Sequence, residues 1–467
     1  MDIISYFKNI TLRAAGVDRD LLTLIKDKDI SKAKELFEDR SDEVKKAISE
    51  YNPESHAIMK RPNKPRKNRN DYVTEKLPRS WQKHINEVEL FFLLNNPIKW
   101  TCDAIEDAAF GAFSDFLNEH RFNTTMRECK RLAGAETHSA KLYHIFQEDG
   151  QPKVRVQVLS KSRGFDLYPL FNQYGQLLAF GVGYYLKVGG KTVEHFDIHT
   201  NDVIYRCKKT SVSWDIDAVP NPTGKINVVY YPQQEAWRGA QARIERDEML
   251  DSKSADTNNY FADPVAAATT DVIKSLADPE TIGKLIHLQG RDSDFRYIEP
   301  PASNELKESE KRTNRQAILD DTFTPPFDFT SLSGLGMLSG ETIRRIMIPG
   351  YIKRNRNIEI YDELIDREKN IIIAIISKVL DPSISFENVV IKHEFQDPFG
   401  ESKSVSDIVS AYSAGLLSLE SAVKLLGMVD DSNAEVERIL DEQKEKSKLS
   451  EKNIDNELLS PNGHTKM

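Results

Sequence analysis

The stretch that decides the fold is SNELKESEKRTNRQAILDDTF, residues 303–323. Its spacing predicts a helix in which nine of 21 residues are charged: Glu305, Lys307, Glu308, Glu310, Lys311, Arg312, Arg315, Asp320 and Asp321. The apolar residues are only Leu306, Ala317, Ile318, Leu319 and Phe323. Most helix stability comes from burying a broad apolar face, so this helix needs neighbours or water on its other sides. The pattern indicates an assembly rather than a self-contained enzyme core.

A second charged helix precedes this one, and a flexible connection follows it. The earlier helix is predicted to begin near Trp237, in WRGAQARIERDEMLD (237–251). After two prolines, FDFTSLSGLGMLSG (327–340) contains three glycines and three serines, which allow the chain to bend. Counted from Thr324, the connection has about 17 residues, longer than most helix–helix loops. Composition alone leaves open whether it is functional or an ordinary connection.

The rest of the chain predicts an α+β fold that is mainly helical. Helical spacing covers much of residues 1–60, 77–132 and 341–380, the last with a break at Pro349-Gly350. Between 141 and 231, period-two alternation rich in Val, Tyr and Phe predicts antiparallel strands. These patterns place strands in the middle of the chain and helices around them.

A basic segment follows the first helices, and short helices and a polar tail end the chain. Residues 60–70 (KRPNKPRKNRN) are either a solvated linker or an arm lying on DNA or on a neighbouring subunit. Near the end, two short helices are predicted at 405–414 and 418–426, the second with Ser418 at its N-cap, followed by an acidic helix from 433. The last twenty residues are polar and predicted to be disordered.

Composition excludes several classes of protein. A chain of 467 residues predicts two to four modules. With 64 basic and 73 acidic residues, the formal charge of −9 disfavours a polycation that grips nucleic acid with its whole surface. Three cysteines without a CxxC pair fit a reducing compartment, or a virion assembled in one, and not a zinc site. No secretory leader or membrane span is recognised, so we expect a soluble protein without a membrane partner.

No motif predicts an active site. His195 and His199 are four residues apart, but in a predicted strand that spacing holds them too far apart for a shared metal ion. The chain has no GxSxG and no phosphate-binding GxxxxGK[ST]. The sequence therefore predicts no catalytic residue, no cofactor and no metal, and a protein that is not an enzyme.

Three segments, taken in order, carry a resemblance to a known family. They are WRGAQARIERDEMLDSKSADTNNYFADP (237–264), the stretch from YIEPP to GET (297–342), and the stretch containing AGLLSLESA and VDDSNAEVERI (414–439). Together they resemble the portal proteins of tailed double-stranded-DNA bacteriophages, in the branch typical of long-tailed phages. The resemblance covers roughly residues 70 to 445.

The resemblance implies a portal architecture that assembles as a ring. The implied parts are an N-terminal helical and basic segment (1–70), a wing (71–235), a stem helix (236–260), a clip (261–302), a second stem helix (303–324), a tunnel loop and wing helix (325–385), and a crown with a disordered tail (386–467). A helix of about 20 residues spans roughly 30 Å, long enough to cross a capsid wall.

The resemblance also implies function and partners. Portal proteins form a ring, usually of twelve copies, at one capsid vertex, and genome DNA passes through the ring without sequence specificity. Terminase docks first, then the head-tail connector and tail, and major capsid and scaffold proteins are further partners. The implied location is the virion, with the host cytoplasm during assembly. Alternatives are another ring-forming virion protein and a DNA-processing enzyme with unrecognised catalytic carboxylates.

Particular residues receive roles from the same resemblance. The tunnel loop would contain Asp328, Phe329, Ser331, Ser333, Gly334, Gly336 and Ser339. The channel and stem charges would be Lys307, Lys311, Arg312, Arg315, Arg344 and Arg345. Contacts of the clip with the motor or connector would involve Arg291, Asp292, Asp294 and Arg296.

Overall fold

The computed structural model consists of two compact units, Met1–Pro398 and Phe399–Met467. The residues that it describes are 17–65, 71–103, 108–262, 265–269, 284–288, 295–297, 304–326, 345–399, 405–426 and 434–444. Within these ranges, no helix combines the length and the apolar composition that a bilayer span requires.

Along the chain, helices precede and follow a central run of strands. In the described part of the first unit they are α1 (Val17–Lys26), α2 (Ile30–Leu36), α3 (Ser41–Tyr51), α4 (Trp81–Leu94), α5 (Ala108–Glu119), α6 (Phe122–Glu136), α7 (Gln241–Ala262), α8 (Asn304–Asp321) and α9 (Ile348–Ile375). Helix α9 continues as a π-helical turn, Ile376–Leu380. The second unit contributes α10 (Val405–Ser413) and α11 (Leu419–Leu426), and residues 434–444 are also helical.

The strands form four sheets in the described ranges. They are β1 (Lys99–Cys102), β2 (His138–Glu148), β3 (Gln151–Leu159), β4 (Phe165–Phe171), β5 (Leu177–Val188), β6 (Lys191–His199), β7 (Val203–Lys209), β8 (Trp214–Pro220), β9 (Val228–Pro232), β10 (Val265–Thr269), β11 (Lys284–Leu288), β12 (Phe295–Tyr297) and β13 (Ile391–Glu394). Strands β4 to β8 form an antiparallel meander in chain order, and β3-β2-β9 form a second antiparallel sheet. Strand β10 pairs with β11 in parallel and with β12 in antiparallel orientation, and β1 pairs with β13. The predicted α+β class and the predicted antiparallel strands are confirmed.

The meander connects by tight turns that the sequence prescribes. Between β5 and β6, Gly189 and Gly190 both have positive φ, 57° and 79°. A two-residue hairpin turn of this kind requires left-handed conformation at both positions, which glycine adopts without strain.

The first helices are part of the core and not a separate arm. Leu21 and Ile25 of α1 and Ile30 of α2 pack in one buried cluster with Phe196 and Trp214 of the meander. Burial of these side chains explains why a segment with amphipathic spacing is helical here. Another cluster joins α4, α5, α6 and α9 to the β3-β2-β9 sheet.

Buried ion pairs cross this second core. The Glu368 carboxylate on α9 is fully buried and accepts hydrogen bonds from Lys141 Nζ, at 2.6 Å, and from the hydroxyls of Tyr143 and Tyr231. This cluster fixes the position of α9 on the sheet, because any shift that separated Glu368 from Lys141 would leave a buried charge without its partner, at a high cost in free energy.

Three helix boundaries differ from the prediction, each for a local reason. Helix α7 begins at Gln241 and not at Trp237, because Gly239 has a φ of 90°, which a helix excludes. Helix α8 ends at Asp321, two residues before Phe323, which has a φ of 51°. The break predicted at Pro349-Gly350 lies two residues earlier: residues 345–346 are helical, Met347 interrupts them, and α9 begins at Ile348 with Pro349 in its first turn, where its missing N–H has no helical partner to lose.

Candidate functional site

Helices α7 and α8 form an antiparallel pair joined by ion pairs. Arg315 Nε donates to Asp247 Oδ1 at 3.0 Å, and Lys311 Nζ lies 3.3 Å from Asp251 Oδ1. Farther along, Lys307 Nζ lies 3.3 Å from Thr257 Oγ1. Residue numbers rise in one helix as they fall in the other, so the two run in opposite directions.

On α8, a single row of side chains is buried by other residues of the same chain. Lys311, Asn314 and Ile318 are buried against α7, and most of the remaining surface is exposed. Leu306 is 76% exposed. The sequence-based expectation that this helix leaves its other sides to neighbours or water agrees with these exposures.

Helix α7 is covered on its other side by an extended segment that we call the strap, residues 61–65 and 71–80. Its backbone N–H groups donate to side chains of α7: Glu75 to Asp256 Oδ1 at 2.9 Å, Leu77 to Ser252 Oγ at 3.0 Å, and Arg79 to Glu248 Oε1 at 2.9 Å. Alternate residues of an extended chain are about 6.6 Å apart, and helical residues four apart are about 6 Å apart. The two spacings match, which explains the regular pairing.

Asp256 of α7 accepts hydrogen bonds from three residues of the strap. Besides the Glu75 amide, it accepts from Arg61 Nη2 at 2.6 Å and from the Tyr72 hydroxyl at 3.2 Å. Burial by itself would raise the pKa of Asp256, but these donors stabilise the carboxylate and lower that pKa below its usual value.

Asp251 joins the strap to both helices. Arg79 Nε donates to it at 2.7 Å from the strap, and Arg315 Nη2 at 3.0 Å from α8. Burial opposes the charged form, but the neighbouring cations outweigh it and lower the pKa of Asp251. The strap, α7 and α8 therefore share one network of charges.

A buried histidine anchors the base of the strap. His56 Nδ1 lies 2.6 Å from Glu248 Oε1, and His56 Nε2 lies 2.7 Å from the carbonyl oxygen of Glu50. Both partners are acceptors, so the ring is held with a proton on each nitrogen. Burial would lower the pKa of His56, but the hydrogen bond to Glu248 and its charge outweigh burial and raise that pKa above its usual value.

The strap was missed by reasoning from sequence. Residues 60–70 are predicted to be a solvated linker or an arm on DNA or on a neighbouring subunit; within the described part, 60–65, Arg61 and Lys64 lie against Asp256 of α7 in the same chain, and an outside contact stays a prediction. The seam is polar and therefore lacks the apolar periodicity that identifies packed faces. The one available signal was the spacing of Glu248, Ser252 and Asp256, three acceptor side chains four residues apart on one helical face.

The structure separates the sequence-predicted stem charges into two groups. Lys311 and Arg315 are engaged with acids of α7 in the same chain, and Lys307 with Thr257. Arg312 is exposed. Arg345 lies in a short helical turn before α9.

The other predicted site residues fall largely outside the described ranges. This holds for the tunnel-loop set (Asp328, Phe329, Ser331, Ser333, Gly334, Gly336 and Ser339), and for Arg291, Asp292, Asp294 and Arg344. Arg296 lies in β12, in register with Ala267 of β10.

The described residues contain no group of three or more His, Cys, Asp or Glu side chains placed to hold a metal ion. The site is instead a network of paired charges that joins two antiparallel helices and the strap.

Comparison with known proteins identifies the family. The family model described as "Phage portal protein, SPP1 Gp6-like" matches residues 30–449. No curated protein sequence matches the chain significantly.

Weak structural similarity is found to the neck of a native gene transfer agent particle computed with C12 symmetry. That similarity has 12% identity and a TM-score of 0.39, and it covers 74% of this chain and 90% of that chain. The neck of an empty gene transfer agent particle computed with C6 symmetry is similar with 11% identity and a TM-score of 0.40, covering 84% of this chain and 95% of that one. The match to the family model spans most of the chain, and from it we conclude that the chain belongs to the phage portal protein family: it is a ring-forming structural component of the virion at a capsid vertex, and not an enzyme.

Proposed function

We propose that this portal is a ring of twelve copies whose central channel passes double-stranded DNA without reading its sequence. In this proposal α7 and α8 are the stem that crosses the capsid wall. The 22 residues of α7 span about 33 Å at 1.5 Å per residue, enough for that role. The observation that supports it best is the uncovered polar surface of α8, which one chain leaves to water or to neighbours.

The charge network suits a channel through which DNA slides. Each phosphate that a protein neutralises adds affinity regardless of sequence, so a channel for sliding should offer few free cations. Two of the four basic residues of α8, Lys311 and Arg315, are already paired with acids of α7. Twelve chains of charge −9 carry about −108 in total, which further opposes tight binding of DNA.

We assign the remaining parts by the same proposal. Residues 261–302 form the clip, where Arg291, Asp292, Asp294 and Arg296 contact terminase and later the connector. Residues 327–340 form the tunnel loop, with Gly334 and Gly336 allowing it to move as DNA passes. The wing and its helix (71–235 and 325–385) and the crown (386–467) surround the channel, and the ring assembles in the host cytoplasm with capsid and scaffold proteins.

The ring is tested by electron micrographs and native mass spectrometry of the purified chain. We expect closed rings; a well-folded monomer at every concentration would contradict the proposal. The channel is tested in packaging assays with two variants that should both still form rings. Replacing Gly334 and Gly336 by proline should stop head filling, whereas Arg312→Ala should leave filling close to normal. Normal filling in the proline variant would reject the role of the loop.

The clip assignment has its own test. Reversing the charges of Arg291, Asp292, Asp294 and Arg296 together should weaken terminase binding to assembled rings. As a matched control, the same reversal at the exposed wing residues Lys153 and Glu148, which pair with each other at 2.6 Å, should leave binding unchanged. Equal binding by both variants would count against the clip.

A further inference from the structure

The strap and α8 lie on opposite sides of α7. Glu248 and Ser252 face the strap, whereas Arg243 and Thr257 face α8. Glu248 and Thr257 are nine residues apart, as are Arg243 and Ser252, and nine residues are two and a half helical turns. Each chain therefore presents a three-layer slab with α7 in the middle and a different surface on each flank.

Each flank exposes aliphatic side chains on an otherwise polar surface: Val73 and, to a smaller extent, Leu77 (40%) on the strap, and Leu306 on α8. On the strap, Val73 is 70% exposed, next to residues held by Asp256. On α8, Leu306 is 76% exposed, next to Lys307, which contacts Thr257. Because Asp256 and Thr257 are consecutive, the two side chains lie at nearly the same height along α7.

Cyclic assembly converts this arrangement into a contact. A ring is closed by a heterologous interface, in which one surface of each copy meets a different surface of the next. Rotation about an axis parallel to α7 leaves every height unchanged. Two exposed aliphatic side chains at one height, on opposite flanks, are therefore brought together between neighbouring copies.

The charges of the two flanks are complementary. The described strap carries four basic residues and two acidic ones, and of these Lys64, at 63%, and Asp71 are exposed. The first half of α8 exposes Glu305, Glu308 and Glu310 against a single exposed cation, Arg312. Opposite potentials on facing surfaces favour the correct register and disfavour the contact of two like flanks.

We propose that the strap of one copy docks on the amino-terminal half of α8 of the next copy, with Val73 against Leu306. The contact deepens the proposed function and rests on it, because it requires a ring in which α7 runs along the channel. It also assigns the strap a double role: it braces α7 within its own chain and forms the outer surface that the neighbour recognises.

Disulfide formation between introduced cysteines tests the contact. The full chain carrying V73C and L306C together is assembled, oxidised and separated without reductant. Both sites are exposed, so folding should be unaffected, and Cys102, Cys129 and Cys207 are buried and contribute little background. Within one chain the two sites are held near Asp256 and Thr257, which point about 100° apart around α7, and a disulfide closed within one chain is distinguished from a ladder because it leaves the chain monomeric. We expect a ladder of covalent dimers and higher multimers.

The controls separate the contact from the ring itself. Each single variant should give no ladder. V212C combined with L306C should give none either: Val212 is 93% exposed and therefore accessible, but it lies in the turn between β7 and β8 and not on the strap. Intact rings without a ladder, a ladder of equal strength in the Val212 control, or a disulfide closed within one chain would each overturn the contact while leaving the ring in place. A chain that stays monomeric would overturn the ring and, with it, this contact.

Discussion

His56→Ala is expected to loosen the strap in a pH-dependent way. The imidazolium of His56 and the carboxylate of Glu248 are 1% and 0% exposed and 2.6 Å apart. An opening that begins at His56, the residue that anchors the base of the strap, separates the two groups, so their interaction is part of the free energy of that opening. Removing one partner of a buried ion pair costs about 3–5 kcal/mol.

Hydrogen exchange of the strap measures this cost directly. The amides of Glu75, Leu77 and Arg79 are bonded to side chains of α7 and report the opening. At one tenfold change per 1.4 kcal/mol, the variant should exchange these amides about 100-fold to a few thousand-fold faster than the native chain. Comparing both proteins at the same pH cancels the intrinsic pH dependence of exchange.

The pH dependence distinguishes an ion pair from simple packing. The pKa of His56 is raised in the folded state, so the stabilisation is complete below the unfolded value of about 6.5 and is lost as pH rises through the folded pKa. The acceleration should therefore be largest at or below about pH 6 and shrink as the pH rises above the usual pKa of histidine.

Lys46→Ala is the matched control, because Lys46 is 75% exposed and its nitrogen lies as far as 3.8 Å from the Glu50 carboxylate, so this is a weak surface pair. It should change the exchange rates by about fivefold or less, as expected for a surface pair. Acceleration by His56→Ala that is equal at every pH, or absent, would refute a charged histidine at the base of the strap.

Two further predictions concern the core of the first unit. Glu368→Ala leaves the ammonium of Lys141 buried without its partner and should lower the free energy of unfolding, measured by urea denaturation, by about 3–5 kcal/mol. Glu368→Gln keeps an acceptor and should lower it less. An equal loss in both variants would contradict a role for the charge. Gly350→Ala places a Cβ 2.2 Å from the ring of Phe92 and should cost about 1–3 kcal/mol. Gly111→Ala, in the middle of α5 with open space around it, should instead stabilise by about 0.5–1 kcal/mol; the reverse order of denaturation midpoints would show that the packing at α9 is not as described.

Local patterns in the sequence were sufficient where the structure depends on neighbours along the chain. Alternation of polar and apolar residues located strands such as β3 and β6, and the two glycines between β5 and β6 indicated their turn. Ser418 was expected to cap α11, and its Oγ accepts from the Ser421 amide at 3.1 Å. The family was also visible, because its segments keep their order and spacing.

Prediction failed where conformation depends on single dihedral angles or on distant partners. The start of α7 was set by the φ of Gly239, which a list of residue types does not contain. The break predicted at Pro349-Gly350 lies at Met347, because proline is tolerated in the first turn of a helix and Pro349 therefore belongs to the start of α9.

The sequence by itself determined that the chain is α+β, that two of its helices are too polar to be packed by apolar faces, and that it belongs with ring-forming portals. Only the tertiary structure decided which groups satisfy those polar helices. Residues 56–79 meet residues 248–256 through hydrogen bonds that span more than 160 positions of the chain. Such contacts leave no periodic trace, because a backbone amide can be donated by almost any residue and a buried charge needs one well-placed partner instead of an apolar face.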